Sequence, residues 1–194
     1  MQEYVSEAVV LDKMPQGDLD NRFFLFTKRF GKLVAKAKSG RKITSKLSPH
    51  LEPGNVSFVR LIEKNGLQVG DALKTARIGA EPPQLAALNA LLSEFDPDER
   101  LWRAITAGTW NWAHILKILG WDPAGASCWN MLRSEADDRA KSEEVLKPAG
   151  RMYEIPSAAG RMCDGAPRAF HLTSQNFFCG SCSSKLDRKE VILI

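Results

Sequence analysis

The segment from residue 20 to residue 46 constrains the fold of this chain more than any other. It holds two apolar runs, Phe23–Phe26 and Leu33–Ala37, and the dipeptide Phe30-Gly31 lies between them. Apolar runs that are joined by a glycine-containing turn are typical of a β-hairpin. We therefore predict two antiparallel strands, with the chain reversing at Phe30-Gly31.

The charged residues of this segment from residue 28 onward are all basic. They are Lys28, Arg29, Lys32, Lys36, Lys38, Arg41, Lys42 and Lys46. Because the run contains no Asp or Glu, we expect no ion pair within it to neutralise its charge. Lys36 and Lys38 are two positions apart, so on a strand they share one face. A surface of one sign suits a phosphate backbone, although a solvated sheet face has the same composition. The net charge of the whole chain is only +4, so the positive charge is unevenly distributed.

Five short strands are predicted in residues 1–80. A strand over residues 4–11 and a loop over residues 14–18 precede the hairpin, and strands over residues 56–62 and 67–78 follow it. The last two strands flank Asn65-Gly66, a dipeptide that favours tight hairpin turns. Five antiparallel strands of this length predict a small closed barrel, and the OB fold is the five-stranded barrel that binds oligonucleotides.

A helical pattern replaces the strand pattern after residue 80. Leu85, Leu88 and Leu92 recur at helical spacing, which predicts a helix. We expect Asp96 to cap a second helix, with an apolar stripe over residues 101–119 that is weakest at Gly108. The tryptophans in this part are predicted to pack in a core rather than to stack on bases. The expected class is α+β, with a helical domain over residues 81–127.

Four cysteines lie in the remaining residues, 128–194. They are Cys128, Cys163, Cys179 and Cys182. In a reducing cytoplasm they are expected to be thiolates rather than disulfides. The spacing of Cys179 and Cys182 is typical of a zinc knuckle, and four sulfurs fit a structural tetrahedral Zn²⁺ site. His171 is the alternative fourth ligand if Cys128 does not reach the site. The other possibility is that the site has been lost and the four residues are ordinary reduced cysteines.

Several classes of protein are disfavoured by the sequence. No apolar run approaches the roughly 18 residues that a membrane helix needs, and the amino terminus lacks the pattern of a secretory signal. No GxxxxGK[ST] phosphate-binding loop is present, and the three histidines form no visible catalytic constellation. We therefore expect a cytoplasmic protein that is neither an enzyme nor bound to a membrane.

Motifs in the first 80 residues resemble the amino-terminal domain of the RecO family, which are bacterial recombination mediators. Their order and spacing carry the resemblance: Asp20, Phe26-Thr27, Gly31-Lys32, residues 37–42, Ser45-Lys46 and Leu51-Glu52-Pro53. Asn21 stands where the family has an arginine. Residues 119–123, followed by Cys128, are also similar to the family, but Met131 replaces the second cysteine of its first pair. The helical part is shorter than in the family, so we expect a shortened and divergent member.

The resemblance implies a role in recombinational DNA repair through the RecF pathway. It implies binding of single- and double-stranded DNA through the barrel and the eight basic residues. The implied partners are RecR and single-strand-binding protein, and the implied activities are strand annealing and the loading of RecA. It also implies a cytoplasmic protein that associates with the nucleoid during repair. The alternative is an OB-fold adaptor that binds RNA or protein in translation or transcription.

Overall fold

The computed structural model describes residues 2–38, 40, 45–129, 163 and 165–194. The chain forms two compact units, Met1–Leu119 and Gly120–Ile194. The three-part division with boundaries at residues 80 and 127 stays a prediction. The two units are described separately below.

The first unit is built on a closed five-stranded barrel, as predicted. Its strands are β1 (Glu3–Gln16), β2 (Asp20–Thr27), β3 (Gly31–Ala37), β4 (Asn55–Glu63) and β5 (Leu67–Arg77). The order around the barrel is β1-β2-β3-β5-β4, and β1 closes it by pairing with both β2 and β4. Strands β3 and β5 pair in parallel through two residue pairs, and the other neighbouring strands of the described barrel pair antiparallel. This arrangement is the expected OB fold.

Strand β1 is longer than the sequence predicted. The loop expected over residues 14–18 starts only after Gln16, because Met14, Pro15 and Gln16 pair with residues 22, 21 and 20 of β2. Pro15 has no backbone N–H, and proline is tolerated in a strand where one edge is unpaired. Strand β1 pairs with β4 only as far as Val9, so Pro15 lies beyond that ladder.

Two of the predicted turns are confirmed. Asn65 and Gly66 both have positive φ, 51° and 91°, which is the backbone of a tight hairpin turn. Gly31 opens β3 with φ of 70°. A Cβ atom at Gly31 would lie 2.4 Å from the backbone carbonyl carbon of Asp96, so glycine allows residues 94–96 to pack directly on the hairpin.

Two apolar clusters fill the first unit. One lies inside the barrel and includes Phe23, Leu25 and Leu33, which are at most 1% exposed. The second joins the outer side of the barrel to the helices through Phe26 and Trp102, whose ring centroids are 6.2 Å apart. Trp102 therefore packs in the core, as the sequence predicted.

The helices described in this unit pack against the outer side of the barrel: α1 (Pro82–Leu91), α2 (Glu99–Thr106) and α3 (Trp112–Ile118). The prediction that Asp96 caps the second helix is wrong. Asp98 is the cap, and its carboxylate accepts hydrogen bonds from the backbone N–H groups of Arg100 and Leu101. The weak point predicted at Gly108 is a break between α2 and α3, with φ of 87°.

The second unit contains short elements. They are β6 (Ala169–His171), β7 (Asn176–Phe178), α4 (Gly180–Ser183) and β8 (Val191–Leu193). The three strands form one antiparallel sheet in the order β7-β6-β8. In neither unit is any helix of the described residues long and apolar enough to cross a membrane.

Candidate nucleic-acid interface and metal centre

The basic residues of β3 lie on the outer face of the barrel. Side chains alternate along the strand, so Leu33 and Ala35 are buried inside while Lys32 and Lys36 point outward. Lys38 follows the end of the strand and is exposed. The strand thus separates Lys32 and Lys36 from the barrel core, and a shared strand face for Lys36 and Lys38 stays a prediction because β3 ends at Ala37.

Carboxylates from neighbouring strands reduce the charge of this face. Asp20 on β2 places Oδ2 2.8 Å from Nζ of Lys36, and Glu7 on β1 places Oε2 3.5 Å from Nζ of Lys28. The basic run contains no acid, but sheet pairing brings acids from outside it against two of its lysines. The basic residues are uninterrupted by acids in the sequence, but the surface that they form in the structure is not uniformly positive.

Lys32 is bound to the helical layer. Its Nζ donates to the carbonyl oxygens of Asn89 at 2.6 Å and Leu92 at 3.2 Å, at the carboxyl end of α1. These are among the last carbonyls of the helix, which lack partners within it, and a cation there also opposes the helix dipole. Burial lowers the pKa of Lys32, and the nearby Glu94 carboxylate acts in the opposite direction. The ammonium group therefore stabilises the junction between β3 and α1.

Replacing Lys32 with methionine is expected to lower the free energy of unfolding by about 1 kcal/mol. Methionine keeps most of the apolar side chain and removes the donor to two carbonyls. Urea unfolding followed by circular dichroism measures the change, and Lys64→Met at the exposed β4–β5 turn is the matched control. Equal midpoints for the two variants would contradict a stabilising role of the Lys32 ammonium.

The other predicted DNA-binding residues have different surroundings. The guanidinium of Arg29 lies 5.4 Å from the ring centroid of Phe30 and donates to the carbonyl of Val5. Lys46 is exposed. Arg41 and Lys42 lie outside the described residues. The assignment of all eight basic residues to DNA binding stays a prediction.

The sequence analysis did not include Arg22 among the candidate residues. It is exposed on the outer face of β2, directly opposite Lys36 in the β2–β3 ladder. Its position before the continuous basic run excluded it from the pattern. The signal that could have found it is strand alternation, because Arg22 lies two residues before the half-buried Phe24 and on the same face.

The four cysteines converge in the second unit. The sulfur atoms of Cys128, Cys163, Cys179 and Cys182 all lie within 4.8 Å of one another. Cys128 and Cys179 are fully buried. The Cys163 and Cys179 sulfurs are 3.6 Å apart. The inserted segment between Cys128 and Cys163 therefore does not prevent the two ends of the module from meeting.

A backbone hydrogen bond and a short helix hold these sulfurs in place. The backbone N–H of Cys128 donates to the carbonyl of Gly165 at 2.9 Å. The short helix is α4, which begins directly after Cys179 and carries Cys182 one turn later. Within it, the N–H of Ser183 donates to the Cys179 carbonyl. The short helix therefore turns the two knuckle sulfurs to the same side.

The ionisation of Cys163 depends on its burial and on the neighbouring thiols. Burial raises the pKa of the Cys163 thiol to about 12, with further contributions from Cys128 and Cys179, while a hydrogen bond from the backbone of Gly165 acts in the opposite direction. A thiolate at Cys163 is disfavoured because burial removes its hydration and no cation balances its charge. A bound cation reverses this effect, so the cluster can hold a metal ion.

His171 belongs to a different contact. Its Nε2 lies 3.1 Å from Oε2 of Glu190, and its Nδ1 lies 2.8 Å from Oγ of Ser174. The imidazole therefore joins the β6–β7 turn to the segment before β8. Of the two candidates for a fourth ligand, Cys128 is the residue that the structure places with the other three sulfurs.

Comparisons with known proteins give one consistent result for the barrel. Residues 1–78 match the family model described as "Recombination protein O N terminal". The DNA repair protein RecO of Chlorobium limicola is 37% identical over 81 residues, which is 40% of this chain and 31% of that protein. The DNA repair protein RecO of Thermodesulfovibrio yellowstonii is 41% identical over 61 residues, which is 31% of this chain and 24% of that protein.

The matched stretch thus covers less than a third of the length of each of these relatives. It coincides with the closed barrel, which is also where the ordered motifs from Asp20 to Pro53 lie. Residues 1–78 are therefore similar to the amino-terminal domain of the RecO family, and this similarity supports a divergent member of that family.

Proposed function

We propose that this chain is a DNA-binding protein of recombinational DNA repair that acts in the RecF pathway. The observation that carries the proposal is the match of residues 1–78 to the RecO amino-terminal domain, on a closed barrel with cations along its β2–β3 face. The two relatives carry the name DNA repair protein RecO, which supports the same role.

The proposed mechanism is binding without a change of covalent bonds. Cations on the barrel neutralise phosphates and release counterions, which gives affinity that does not depend on base sequence. Neutralising two complementary strands reduces their mutual repulsion, so the same contacts promote annealing. We further propose RecR and single-strand-binding protein as partners, and assistance in the loading of RecA. The chain would act in the cytoplasm, at the nucleoid during repair.

We propose Zn²⁺ as the ion of the four-cysteine cluster, in a structural role. Zinc–sulfur bonds of about 2.3 Å in a tetrahedron place the sulfurs about 3.8 Å apart. The 3.6 Å between Cys163 and Cys179, and the 4.8 Å limit for all four, agree with that geometry. When bound, the ion would crosslink Cys128 and Cys163 to the knuckle, and four sulfurs leave no position for a substrate.

A competition experiment tests the proposed function. The full chain is bound to a fluorescent single-stranded DNA of mixed sequence, and unlabelled single-stranded DNA, duplex DNA or structured RNA is added. We expect single-stranded DNA of unrelated sequence to compete at about the concentration of the unlabelled parent strand, and structured RNA to compete more weakly. A clear preference for structured RNA would instead support an RNA-binding adaptor.

A further inference from the structure

One row of side chains crosses the outer face of the barrel at the start of β2. Met14 on β1, Arg22 on β2 and Lys36 on β3 lie opposite one another in the two ladders. Arg22 is exposed, and Met14 is 47% exposed. Directly opposed residues on neighbouring strands have Cβ atoms about 5 Å apart, so Arg22 and Lys36 present two cations side by side.

The two cations of this row differ in their surroundings. Lys36 contacts the carboxylate of Asp20 at 2.8 Å, and both side chains are partly buried, with 37% and 25% exposure. Arg22 forms no ion pair with any residue that the structure describes. A phosphate that approaches Lys36 must compete with Asp20, whereas a phosphate that approaches Arg22 displaces no ion-pair partner among the described residues.

The next row on the same face is apolar. Phe24 lies two residues after Arg22 on β2, and it pairs with Val34 on β3. Both are half-buried. Phe24 packs in part against the second apolar cluster, and Nζ of Lys32 lies 6.0 Å from its ring centroid. Rows on one face are about 7 Å apart, so a strand whose phosphates lie at Arg22 and Lys36 would have its bases beside Val34 and the exposed part of Phe24. Only a single strand exposes base faces in this way, because a duplex keeps them stacked inside.

We propose that Arg22 is the principal phosphate contact of the β2–β3 face for single-stranded DNA, and that Asp20 weakens binding by holding Lys36. This proposal rests on the proposed DNA-binding function and names the residues that determine its strength. Arg22 also has the better chemistry for the contact, since its planar guanidinium can donate two hydrogen bonds to one phosphate.

The test is a salt titration of single-stranded DNA binding by the full chain and four variants. Arg22→Ala is expected to weaken binding about fivefold at 0.1 M salt and to reduce the log–log salt slope by about 0.7, the value for one phosphate contact. Asp20→Asn is expected to tighten binding about threefold, because it releases Lys36 from an ion pair of modest strength. Lys36→Ala is expected to change affinity less than twofold alone, but about fivefold in the Asp20→Asn background.

Two variants control for the change of net charge. Arg60→Ala removes one positive charge from the outer face of β4, and Asp71→Asn removes one negative charge from the opposing position on β5. Both are expected to bind like the unmodified chain. Circular dichroism checks that each variant is folded.

The outcomes separate this proposal from the function on which it rests. Salt-dependent binding that Arg22→Ala reduces no more than Arg60→Ala would overturn the role of Arg22 and leave the proposed function standing. Equal losses from Lys36→Ala in both backgrounds would overturn the role of Asp20. Equal competition by duplex DNA would overturn the single-strand assignment, and a chain that binds no DNA would overturn both the proposal and the function.

Discussion

The chain purified under reducing conditions without a chelator is expected to carry about one zinc ion, and Cys179→Ser is expected to abolish most of this binding. Cys179 is fully buried, and its sulfur lies 3.6 Å from that of Cys163. A serine hydroxyl at this position is a poor ligand for zinc. The three remaining sulfurs form a weaker site. Elemental analysis of the purified protein measures the metal content directly.

The loss of the ion is expected to affect only the second unit. All four cysteines follow residue 119, so the first unit contains no ligand. Free energies of about 10–16 kcal/mol are typical of structural zinc in small modules, and the described residues of the second unit form short strands and short helices. Amide hydrogens of residues 165–194 are therefore expected to exchange on the order of 100-fold faster in Cys179→Ser, while those of β1 to β5 stay unchanged.

A control variant distinguishes the loss of a sulfur ligand from the general effect of a substitution in the knuckle. Ser181→Ala changes the neighbouring knuckle residue without removing a ligand, so it is expected to retain both the metal and the slow exchange. Freshly prepared, reduced protein that contains no metal would contradict the proposal. The four residues would then be ordinary reduced cysteines that are packed together.

Patterns of apolar residues were sufficient to predict the barrel, because they depend on which face is buried. Alternation in β3 and the dipeptide Asn65-Gly66 report directly on local backbone geometry, and the structure agrees at both places. The cap of α2 was misassigned, because Asp96 and Asp98 are chemically equal candidates along the sequence. Packing decides between them: the backbone of Asp96 lies against Gly31, and Asp98 is left at the first turn of the helix.

The candidate site was less accessible to sequence reasoning, since it depends on contacts between distant residues. Lys32 looks like any other member of the basic run, yet its ammonium binds carbonyls 57 and 60 positions away. The pairing of β2 with β3 brings the Asp20 carboxylate to Lys36. The turn at Lys28 brings that lysine to the Glu7 carboxylate. Convergence of the cysteines was predictable for Cys179 and Cys182, where spacing sets the distance, but not for Cys128, which only tertiary structure brings to the knuckle.

Replacing Lys36, Lys38, Arg41 and Lys42 together with alanine is expected to weaken DNA binding by at least tenfold at 0.1 M salt. If about four of the eight basic residues contact phosphates, the log–log salt slope is about −3 on single strands and about −4 on duplex DNA. Removing most of these contacts brings the slope toward zero. The fold is expected to stay intact, since charged side chains outside the core contribute little to stability.

Contacts within the protein limit how many of the eight basic residues can bind phosphate. Lys32 is bound to α1, and Lys28 and Lys36 each contact a carboxylate, so fewer than eight cations are available to a phosphate without breaking a contact. Lysine acts as a point charge and does not read base edges, so the loss of affinity is expected to be equal for strands of different sequence. Salt titrations of both proteins on two unrelated strands, with circular dichroism to verify folding, measure these effects. A folded quadruple variant with unchanged affinity and unchanged slope would show that these four residues are only solvated, and DNA binding by the barrel would then rest on Arg22 and the family match.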